Sequence, residues 1–302
     1  MQEKEMMVGN TPLLRLFAIE KAFGLEAELY VKAEQLNAGG SIKDRVAFCI
    51  LDEAEKSGKI KNGGTVVEAT SGNTGVGLAL AAGLRGYQSV IVMPDSMSVE
   101  RRQLMQKYGA ELVLTAGNLG MQGAVEKANE LVANTPNAFL AAQFENPANP
   151  LAHYRGTGPE IWAQTNGEVD IFVAGVGTGG TVTGVGKFLK EKKRSVQIVG
   201  LEPKESPLLS CGKAGAHKIQ GIGANFVPAV LDKSVLDEVL TVSGDEAIEM
   251  AKTLYQLENA FVGISSGANV LGAIALAKRE ENKGKKIVTV FPDSGDRYAS
   301  IF

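Results

Sequence analysis

A lysine beside a pair of glycines gives one short segment of this chain a clear chemical character. The segment AGGSIKDR covers residues 38–45, and apolar side chains flank Lys43 at Ile42 and at residues 46–48. Partial desolvation by such neighbours disfavours the charged form of a lysine, and a neutral amine can form a Schiff base. The structural alternative is that Lys43 lies in the first turn of a helix capped by Ser41, with Asp44 against the helix dipole.

A second segment, TSGNTG at residues 70–75, has the composition of an anion-binding turn. It follows a predicted strand and precedes an apolar helix. Backbone N–H groups at a helix N-terminus favour negative charge, and Thr70, Ser71 and Thr74 add hydroxyl groups that suit a carboxylate or a phosphate. A well-capped helix start is the alternative, because Ser, Thr and Asn are common capping residues.

The third segment, GVGTGGT at residues 175–181, is the richest in glycine. Close approach of the backbone to an anion explains this density of glycine. A dinucleotide fingerprint is also satisfied, since the glycines fit G-x-G-x-x-G and Glu202 stands about 20 residues further on. NAD binding therefore stays open for this loop alone. Thr178 and Thr181, together with the other two segments, favour a terminal phosphate instead.

A fourth segment, GISSGA at residues 263–268, places Ser265 and Ser266 before a predicted helix. A helix cap accounts for one of these serines.

Apolar runs alternate with helix-length segments along the chain, which predicts βα units. We expect strands at residues 29–32, 65–68, 90–93, 112–114, 139–142, 170–176, 197–201 and 286–291. The expected helices include residues 43–56, 76–84, 100–108, 121–133, 159–163, 182–192 and 247–257, the last opened by a capping box at residues 243–246. The resulting fold is α/β, with two mostly parallel twisted sheets, helices on both faces of each, and sites at the carboxyl ends of strands.

Composition narrows the possible partners. The 302 residues are 44% apolar and 22% charged, with a formal net charge of −3, which is ordinary for a globular protein and argues against nucleic acid. Neither a secretory nor a membrane-spanning segment is predicted, so we expect a cytoplasmic protein. Cys49 and Cys211 are expected to be buried thiols, and His153 and His217 are isolated, so no metal site is predicted.

Five motifs, GGSIKDR, TSGNTG, GVGTGGT, QGIGA and GISSGA, occur in this order along the chain. Their order and spacing resemble the cysteine synthase (O-acetylserine sulfhydrylase) family of fold-type II pyridoxal-phosphate enzymes. The segments VGNTPL at residues 8–13, MPDSMSVERR at 93–102 and PDSGDRY at 292–298 resemble the family as well. The resemblance therefore spans nearly the whole chain.

The resemblance implies pyridoxal 5'-phosphate as cofactor. Lys43 would hold it as an internal aldimine and later act as the base at the substrate α-carbon. Asn73 would contact its 3'-oxygen and Ser265 its pyridine nitrogen. The residues that would cradle its phosphate are Gly177, Thr178, Gly179, Gly180 and Thr181. Because a serine cannot stabilise a protonated pyridine as an aspartate can, elimination at the β-carbon is favoured.

The resemblance also implies a substrate. Thr70, Ser71 and Gln143 would bind the α-carboxylate of O-acetylserine, which would lose acetate to give α-aminoacrylate before sulfide adds to form cysteine. Asn225 departs from the family pattern, where many relatives carry glycine, and this leaves the substrates open. The alternatives are cystathionine β-synthase, a cysteine-consuming enzyme that forms sulfide or lanthionine, and, from a different class, an NAD-dependent oxidoreductase.

Domain organisation and partners follow from the same resemblance. Residues 1–40 with 145–302 would form the larger, phosphate-binding domain, and residues 41–144 the smaller, mobile, carboxylate-binding domain, with the active site in the interdomain cleft. A homodimer and binding of the C-terminal tail of a serine acetyltransferase are further expectations.

Overall fold

The computed structural model describes residues 7–97, 99–298 and 301 of the chain. These residues divide into two compact units. Unit 1 comprises residues 7–8 and Asn37–Asn149, and unit 2 comprises Gly9–Leu36 and the described residues from Pro150 onward.

The strands, in chain order, are β1 (Leu13–Arg15), β2 (Glu28–Ala33), β3 (Thr65–Ala69), β4 (Gln88–Pro94), β5 (Glu111–Thr115), β6 (Ala138–Leu140), β7 (Ile171–Gly175), β8 (Gln197–Pro203), β9 (Glu238–Val242) and β10 (Lys286–Phe291). Unit 1 contains a parallel sheet in the order β5-β4-β3-β6. Unit 2 contains a sheet in the order β1-β2-β10-β7-β8-β9, where β1 runs antiparallel to β2 and the other pairs are parallel. The predicted α/β class with mostly parallel sheets is confirmed.

The helices are α1 (Phe17–Phe23), α2 (Lys43–Lys56), α3 (Asn73–Arg85), α4 (Val99–Lys107), α5 (Gly120–Asn134), α6 (Ala148–Ala152), α7 (Gly158–Gln164), α8 (Gly180–Lys192), α9 (Leu208–Cys211), α10 (Gly244–Glu258) and α11 (Ile264–Ala277). A π-helix, His153–Thr157, joins α6 to α7. No helix in the described parts of the chain is long and apolar enough to cross a membrane.

Each sheet is packed on both faces, as a parallel sheet built from βαβ units requires. In unit 1, Val67 and Val92 pack against Ala124 and Ala128 of α5 on one face, and α3 contacts β3 and β4. In unit 2, strands β2, β7, β8 and β10 share an apolar cluster with α1, α10 and α11. Helix α8 approaches β8 at Gly186, where a Cβ atom would lie 3.2 Å from a methyl carbon of Ile198.

Several element boundaries differ from the predicted ones. Strand β6 ends at Leu140 rather than at residue 142, because Ala142 has φ +50° and turns the chain. The predicted capping box at Ser243 is wrong: the Ser243 side chain makes no capping bond, and the Gly244 N–H donates to Glu205 Oε1 at 2.8 Å. The burial expected for the two cysteines is also wrong, since Cys211 is exposed at the end of α9 and Cys49 is only partly buried on α2.

An ion pair between a fully buried lysine and a largely buried glutamate lies at the β1–β2 side of unit 2. Lys32 on β2 is 0% exposed, and its Nζ lies 2.7 Å from Glu160 Oε2 on α7. The same ammonium group donates to Gln164 Oε1 at 2.9 Å and to the carbonyl oxygen of Thr11. Three acceptors therefore satisfy the three N–H groups of this lysine, which is the condition for keeping such a charge out of water.

Candidate active site

The lysine segment forms a tight, internally bonded entry to α2. Ile42 occupies the N-cap position, and the Lys43 N–H donates to Ser41 Oγ at 3.2 Å. The Gly39 N–H donates to Asp44 Oδ2 at 2.7 Å, and a Cβ atom added at Gly39 would lie 2.6 Å from Asp44 Oδ1. Gly39 is thus required for the loop to fold back on the helix start. Lys43 itself is partly buried in the first turn.

Glycine also lets α2 lie close against α3. A Cβ atom at Gly77 would lie 3.0 Å from Lys43 O and 3.2 Å from the Cβ of Ala47. Gly77 stands about one helical turn beyond Asn73, the first residue of α3. The structure therefore brings the helix starts that carry Lys43 and Asn73 into the same part of unit 1.

The TSGNTG turn follows β3 directly, as predicted. The Thr70 N–H donates to Val92 O at 3.0 Å, and the Gly72 N–H donates to Thr70 Oγ1 at 3.2 Å. Thr70 is buried, while Ser71 and Asn73 are half-buried. Gly72 is the N-cap of α3 and has extended backbone angles, with φ −112° and ψ −162°. The turn therefore presents hydroxyl groups and the N-terminus of a 13-residue helix at the carboxyl end of a strand.

Gln143, distant in sequence, is brought beside this turn. Its side-chain Oε1 accepts a hydrogen bond from Thr74 Oγ1 at 2.6 Å. Its backbone oxygen accepts from Asn149 Nδ2 at 2.8 Å, and its backbone N–H donates to Glu68 Oε1 at 3.3 Å. Gln143 is 5% exposed, so three hydrogen bonds hold a nearly buried amide next to the expected carboxylate site.

Glu68 is a residue that the motifs did not reveal. Its side chain is 3% exposed on the central strand β3. Burial raises the pKa of Glu68 to about 7, while hydrogen bonds from Gln143 and from the Ala142 backbone oppose the rise. Carboxyl groups with a pKa raised to near neutral pH often mark functional sites, and this one contacts Gln143, a residue predicted to bind the substrate. The sequence signal was only that Glu68 comes two residues before Thr70 in an apolar strand.

The glycine-rich loop of unit 2 is built by close backbone approach. A Cβ atom at Gly177 would lie 2.2 Å from Gly221 O, and one at Gly175 would lie 2.6 Å from Ile222 Cγ2. Gly179, the N-cap of α8, has φ +83°, in the left-handed region that favours glycine. The Gly180 N–H donates to Thr178 Oγ1 at 3.3 Å. This cradle has the features that a phosphate requires, and its shape leaves no room for other side chains.

His153 supports the last residue of this loop. The ring is 1% exposed in the π-helix, and its Nε2 lies 3.3 Å from Thr181 Oγ1. The other ring nitrogen, Nδ1, lies 3.0 Å from Thr157 Oγ1. The sequence indicated only an isolated histidine, because its partner Thr181 is 28 residues away. His153 therefore orients Thr181 from behind the loop.

Ser265 lies in the first turn of α11, where it is 3% exposed. The preceding Gly263 donates its N–H to Asp293 O at 3.0 Å, and a Cβ atom there would lie 2.1 Å from Asp293 Oδ1. Tyr298 OH donates to Asp293 Oδ2 at 2.8 Å. The PDSGDRY segment thus holds the start of α11 in place, which explains why it accompanies the GISSGA motif.

Glu202 does not have the role that a dinucleotide fingerprint requires. It is 2% exposed, and its carboxylate accepts hydrogen bonds from Leu209 N at 2.6 Å and from Ser210 N at 2.9 Å. Ser210 Oγ also donates to Oε1 at 2.5 Å. The carboxylate is therefore committed to the start of α9 and is not presented to a ribose. The NAD interpretation of this loop is wrong.

Asn225 has φ +63°, a backbone conformation that glycine adopts freely and asparagine tolerates. Its Oδ1 accepts a hydrogen bond from Ser206 Oγ at 2.7 Å, and that hydroxyl accepts from the Gly215 N–H at 3.1 Å. The side chain thus ties two segments of the long loop together. Among the described residues, no group of three or more His, Cys, Asp or Glu side chains is placed to hold a metal ion.

Comparisons with known proteins show the family to which the chain belongs. The family model described as "Pyridoxal-phosphate dependent enzyme" matches residues 4–293. The chain is 53% identical over 294 residues to cysteine synthase B of Campylobacter jejuni, covering 97% of this chain and 95% of the relative. A cysteine synthase structure from Entamoeba histolytica matches 99% of this chain and 89% of that chain, with a TM-score of 0.96 and 42% identity. A hydrogen sulfide-producing enzyme from Fusobacterium nucleatum matches 99% of both chains, with a TM-score of 0.93 and 44% identity.

Proposed function

Because the chain belongs to the family of pyridoxal-phosphate dependent enzymes, we propose that it is a cysteine synthase that converts O-acetylserine and sulfide to cysteine and acetate. Near full-length identity of 53% to a cysteine synthase supports this reaction. The structural observation that carries the proposal is that one chain holds a preformed glycine cradle at Gly177 and a partly buried Lys43 at a helix start.

The residues present fit the cofactor. The backbone of residues 177–181 leaves a cradle that a Cβ atom at Gly177 would disrupt, and the buried Ser265 offers a neutral hydroxyl at the start of α11. Lys43 would hold the cofactor covalently through Nζ, and Asn73 would contact its ring. When bound, pyridoxal phosphate withdraws electrons from the α-carbon of an amino acid, which acidifies the Cα–H and assists departure of a group from Cβ.

The chain's own residues would bind the amino acid and transfer the proton from its α-carbon. Thr70, Ser71 and Gln143 hold the α-carboxylate through hydroxyl, amide and backbone donors at the N-terminus of α3. Lys43 Nζ, as a free amine, would take the proton from Cα. Ser265 would give the ring nitrogen a neutral partner, which would favour loss of the β-substituent over transamination.

A second candidate is a cysteine-consuming, sulfide-forming reaction of the same chemical class. The specific support is the similarity to the Fusobacterium nucleatum hydrogen sulfide-producing enzyme, which covers 99% of both chains. Product analysis separates the candidates in three parallel reactions: O-acetylserine with sulfide, cysteine alone, and serine with homocysteine. Cysteine formed in the first reaction, at a rate well above sulfide release in the second, is the expected result. The reverse ranking would replace the biosynthetic assignment by the sulfide-forming one.

The role of Lys43 is tested by Lys43→Ala. We expect the variant to fold, because Lys43 is only partly buried at the helix start, and to lose covalent cofactor attachment. Loss of the general base alone slows catalysis by roughly 10²–10⁴-fold. Mass spectrometry after borohydride reduction measures attachment directly. Lys56→Ala, at the exposed end of the same helix, is the matched control. A Lys43→Ala protein that still carries the reduced adduct would remove Lys43 from its assigned role.

Assembly and location belong to the proposal as well. We propose a cytoplasmic homodimer that can bind the C-terminal tail of a serine acetyltransferase. Sedimentation of the holoenzyme with and without a peptide of that tail tests both interactions. A monomeric species at all concentrations, or a peptide that leaves the sedimentation and the activity unchanged, would contradict these two points.

A further inference from the structure

Glu68 occupies an unusual place for a carboxyl group. It lies on β3, the strand between β4 and β6, and makes no ion pair among the described residues. Its neighbours Val67 and Ala69 pack on the α5 face of the sheet. Because side chains alternate along a strand, Glu68 points to the opposite face, toward α3. A carboxyl group there needs a hydrogen-bonding function that offsets its burial.

That function is visible at the end of the neighbouring strand. The Ala141 N–H donates to Val67 O at 2.9 Å, which continues the ladder between β6 and β3. Ala142 then adopts φ +50°, which is uncommon for a residue other than glycine. The next N–H, that of Gln143, donates to Glu68 Oε1 at 3.3 Å. The Glu68 side chain thus takes the place of a strand carbonyl and holds the turn.

This bond fixes the backbone of Gln143, and Thr74 fixes its side chain. Since Oε1 of Gln143 accepts from Thr74 Oγ1 at 2.6 Å, the two N–H groups of Nε2 are the donors with which Gln143 can act. They have two competing acceptors within the proposed function: the α-carboxylate of the substrate and the Glu68 carboxyl group.

We propose that Glu68 is a positioning residue for the amino-acid substrate: its carboxyl group holds the Gln143 turn and competes with the substrate carboxylate for the Gln143 side-chain amide. This inference rests on the proposed function, because it takes Gln143 as a ligand of that carboxylate.

The neutral and the ionised forms of the Glu68 carboxyl group require different hydrogen-bond partners. A neutral carboxyl group accepts the Gln143 N–H at one oxygen and carries an O–H donor on the other. An ionised one is an acceptor only, and without a cation it draws in further donors such as Gln143 Nε2. Burial raises the pKa of Glu68 to about 7, so both states exist across the physiological range.

The charged groups around Glu68 are few. Strands β4 and β6 carry no ionisable side chain, and on α3 only the last residue, Arg85, is ionisable. Arg85 pairs with Asp52 at 2.6 Å. The ionisable residues at the start of α2, which packs on α3, and in the Gln143 turn are Lys43, Asp44, Arg45, Cys49 and Glu145. The rise in the pKa of Glu68 is caused by burial and is opposed by hydrogen bonds from Gln143 and Ala142, and no neighbouring charge is among its causes.

The direction in which the KM changes with pH follows from these two forms. Below pH 7 the neutral carboxyl group leaves Nε2 to the substrate. Above pH 7 the carboxylate competes for Nε2 and adds negative charge near a bound carboxylate. The KM for O-acetylserine should therefore rise as the pH increases from 6 to 8, by about tenfold if one charge-assisted hydrogen bond is lost. The kcat should change much less, because Lys43 and Ser265 are untouched.

The deciding variant is Glu68→Gln in the holoenzyme. Glutamine keeps an oxygen for the Gln143 N–H but cannot ionise, so its KM should stay near the low-pH value of the unmodified protein across this range. Glu111→Gln, which changes an exposed carboxylate on β5 of the same sheet, is the matched control and should keep the pH dependence. Glu68→Ala lacks the acceptor and should show a raised KM at every pH.

Binding is also measured without turnover, by calorimetry with L-alanine, an amino acid that has no group to eliminate. The dissociation constant of the unmodified holoenzyme should rise between pH 6 and 8 and that of Glu68→Gln should not. Parallel profiles for these two proteins would overturn the inference even if cysteine is formed. Failure of the unmodified enzyme to form cysteine would instead overturn the proposed function, while the alanine measurement would still decide the role of Glu68.

Discussion

The two glycine-containing segments that follow buried strands, residues 70–75 in unit 1 and residues 175–181 in unit 2, differ in how closely other backbone atoms approach them. In the first, Gly72 has extended angles, and a Cβ atom there would meet nothing closer than 3.9 Å. Side chains shape this turn: Thr70 accepts from the Gly72 N–H, and Thr74 donates to Gln143. In the second, a Cβ atom at Gly177 would lie 2.2 Å from a backbone oxygen.

This difference suits two kinds of ligand. A loop whose shape is fixed by the backbone cannot rearrange cheaply, so it suits a group that stays bound through many turnovers. A turn that is held by hydroxyl, amide and carboxyl groups can exchange hydrogen bonds with a molecule that enters and leaves. The difference therefore supports the proposed roles of the two loops, with the cofactor phosphate at residues 177–181 and the amino acid at residues 70–75.

The largest expected effect contrasts two identical substitutions. Gly177→Ala pushes a methyl group against Gly221 O, so the loop or its neighbour must move, and we expect a loss of at least about 4 kcal/mol in the free energy of unfolding. Gly72→Ala meets open space and should stay within about 0.5 kcal/mol. Urea unfolding and the cofactor content of the purified proteins measure both. Equal losses of unfolding free energy in the two variants would contradict the difference in backbone packing between the loops.

The next effect is pH-dependent and concerns the side-chain-built turn. Burial raises the pKa of Glu68 from 4.5 to about 7 in the folded protein. Its contribution to stability is fully present below pH 4.5 and is lost as the pH rises through 7, up to about 3 kcal/mol. Glu68→Gln removes this loss. The free energy of unfolding of the variant, relative to that of the unmodified protein, should therefore increase between pH 4.5 and pH 8. A constant difference in unfolding free energy across that range would contradict this account.

A paired test on ligand binding should separate the loops further. Thr70→Ala should weaken amino-acid binding by about tenfold, the value of one hydrogen bond to a charged group, and leave cofactor content native. Thr181→Val, of nearly equal volume, should weaken cofactor binding by a similar factor and leave amino-acid affinity unchanged in the protein saturated with cofactor. Visible absorbance titrations follow both ligands. Loss of cofactor in Thr70→Ala would reverse the assignment of the turn.

The smallest effect concerns His153, which lies behind the glycine loop. His153→Asn should shorten the reach to Thr181 and raise the dissociation constant of the cofactor about fivefold, close to 1 kcal/mol. In a Thr181→Val background the same change should have little further effect, because the partner hydroxyl is gone. Additive losses would show that His153 acts through packing rather than through Thr181.

Local signals in the sequence predicted most of the scaffold. The helix Lys43–Lys56 and the strand Lys286–Phe291 have the predicted bounds, because apolar periodicity and flanking turn residues agree there. The end of β6 was missed, since nothing local indicates that Ala142 turns with φ +50°. Cys211 was missed for the same reason: its exposure depends on how α9 is attached to Glu202.

The candidate site was predictable only where a motif is continuous. Thr70, Lys43 and the glycine loop lie within short segments whose composition points to anions and amines. Gln143 was reached through resemblance alone, because no pattern around it indicates a ligand. Glu68 and His153 act through partners 75 and 28 residues away, so their roles exist only once the sheets are assembled.

The ion pair of Lys32 and Glu160 should also constrain which substitutions this sequence can accept as it diverges. Replacing Glu160 alone leaves the fully buried Lys32 ammonium group without its carboxylate, at a cost of about 3–5 kcal/mol, and replacing Lys32 alone leaves a largely buried carboxylate unpaired. Replacing both with apolar side chains of similar volume costs little. Lineages should therefore change the two positions together or not at all, and a redesign of this part of unit 2 must treat them as a single mutable position.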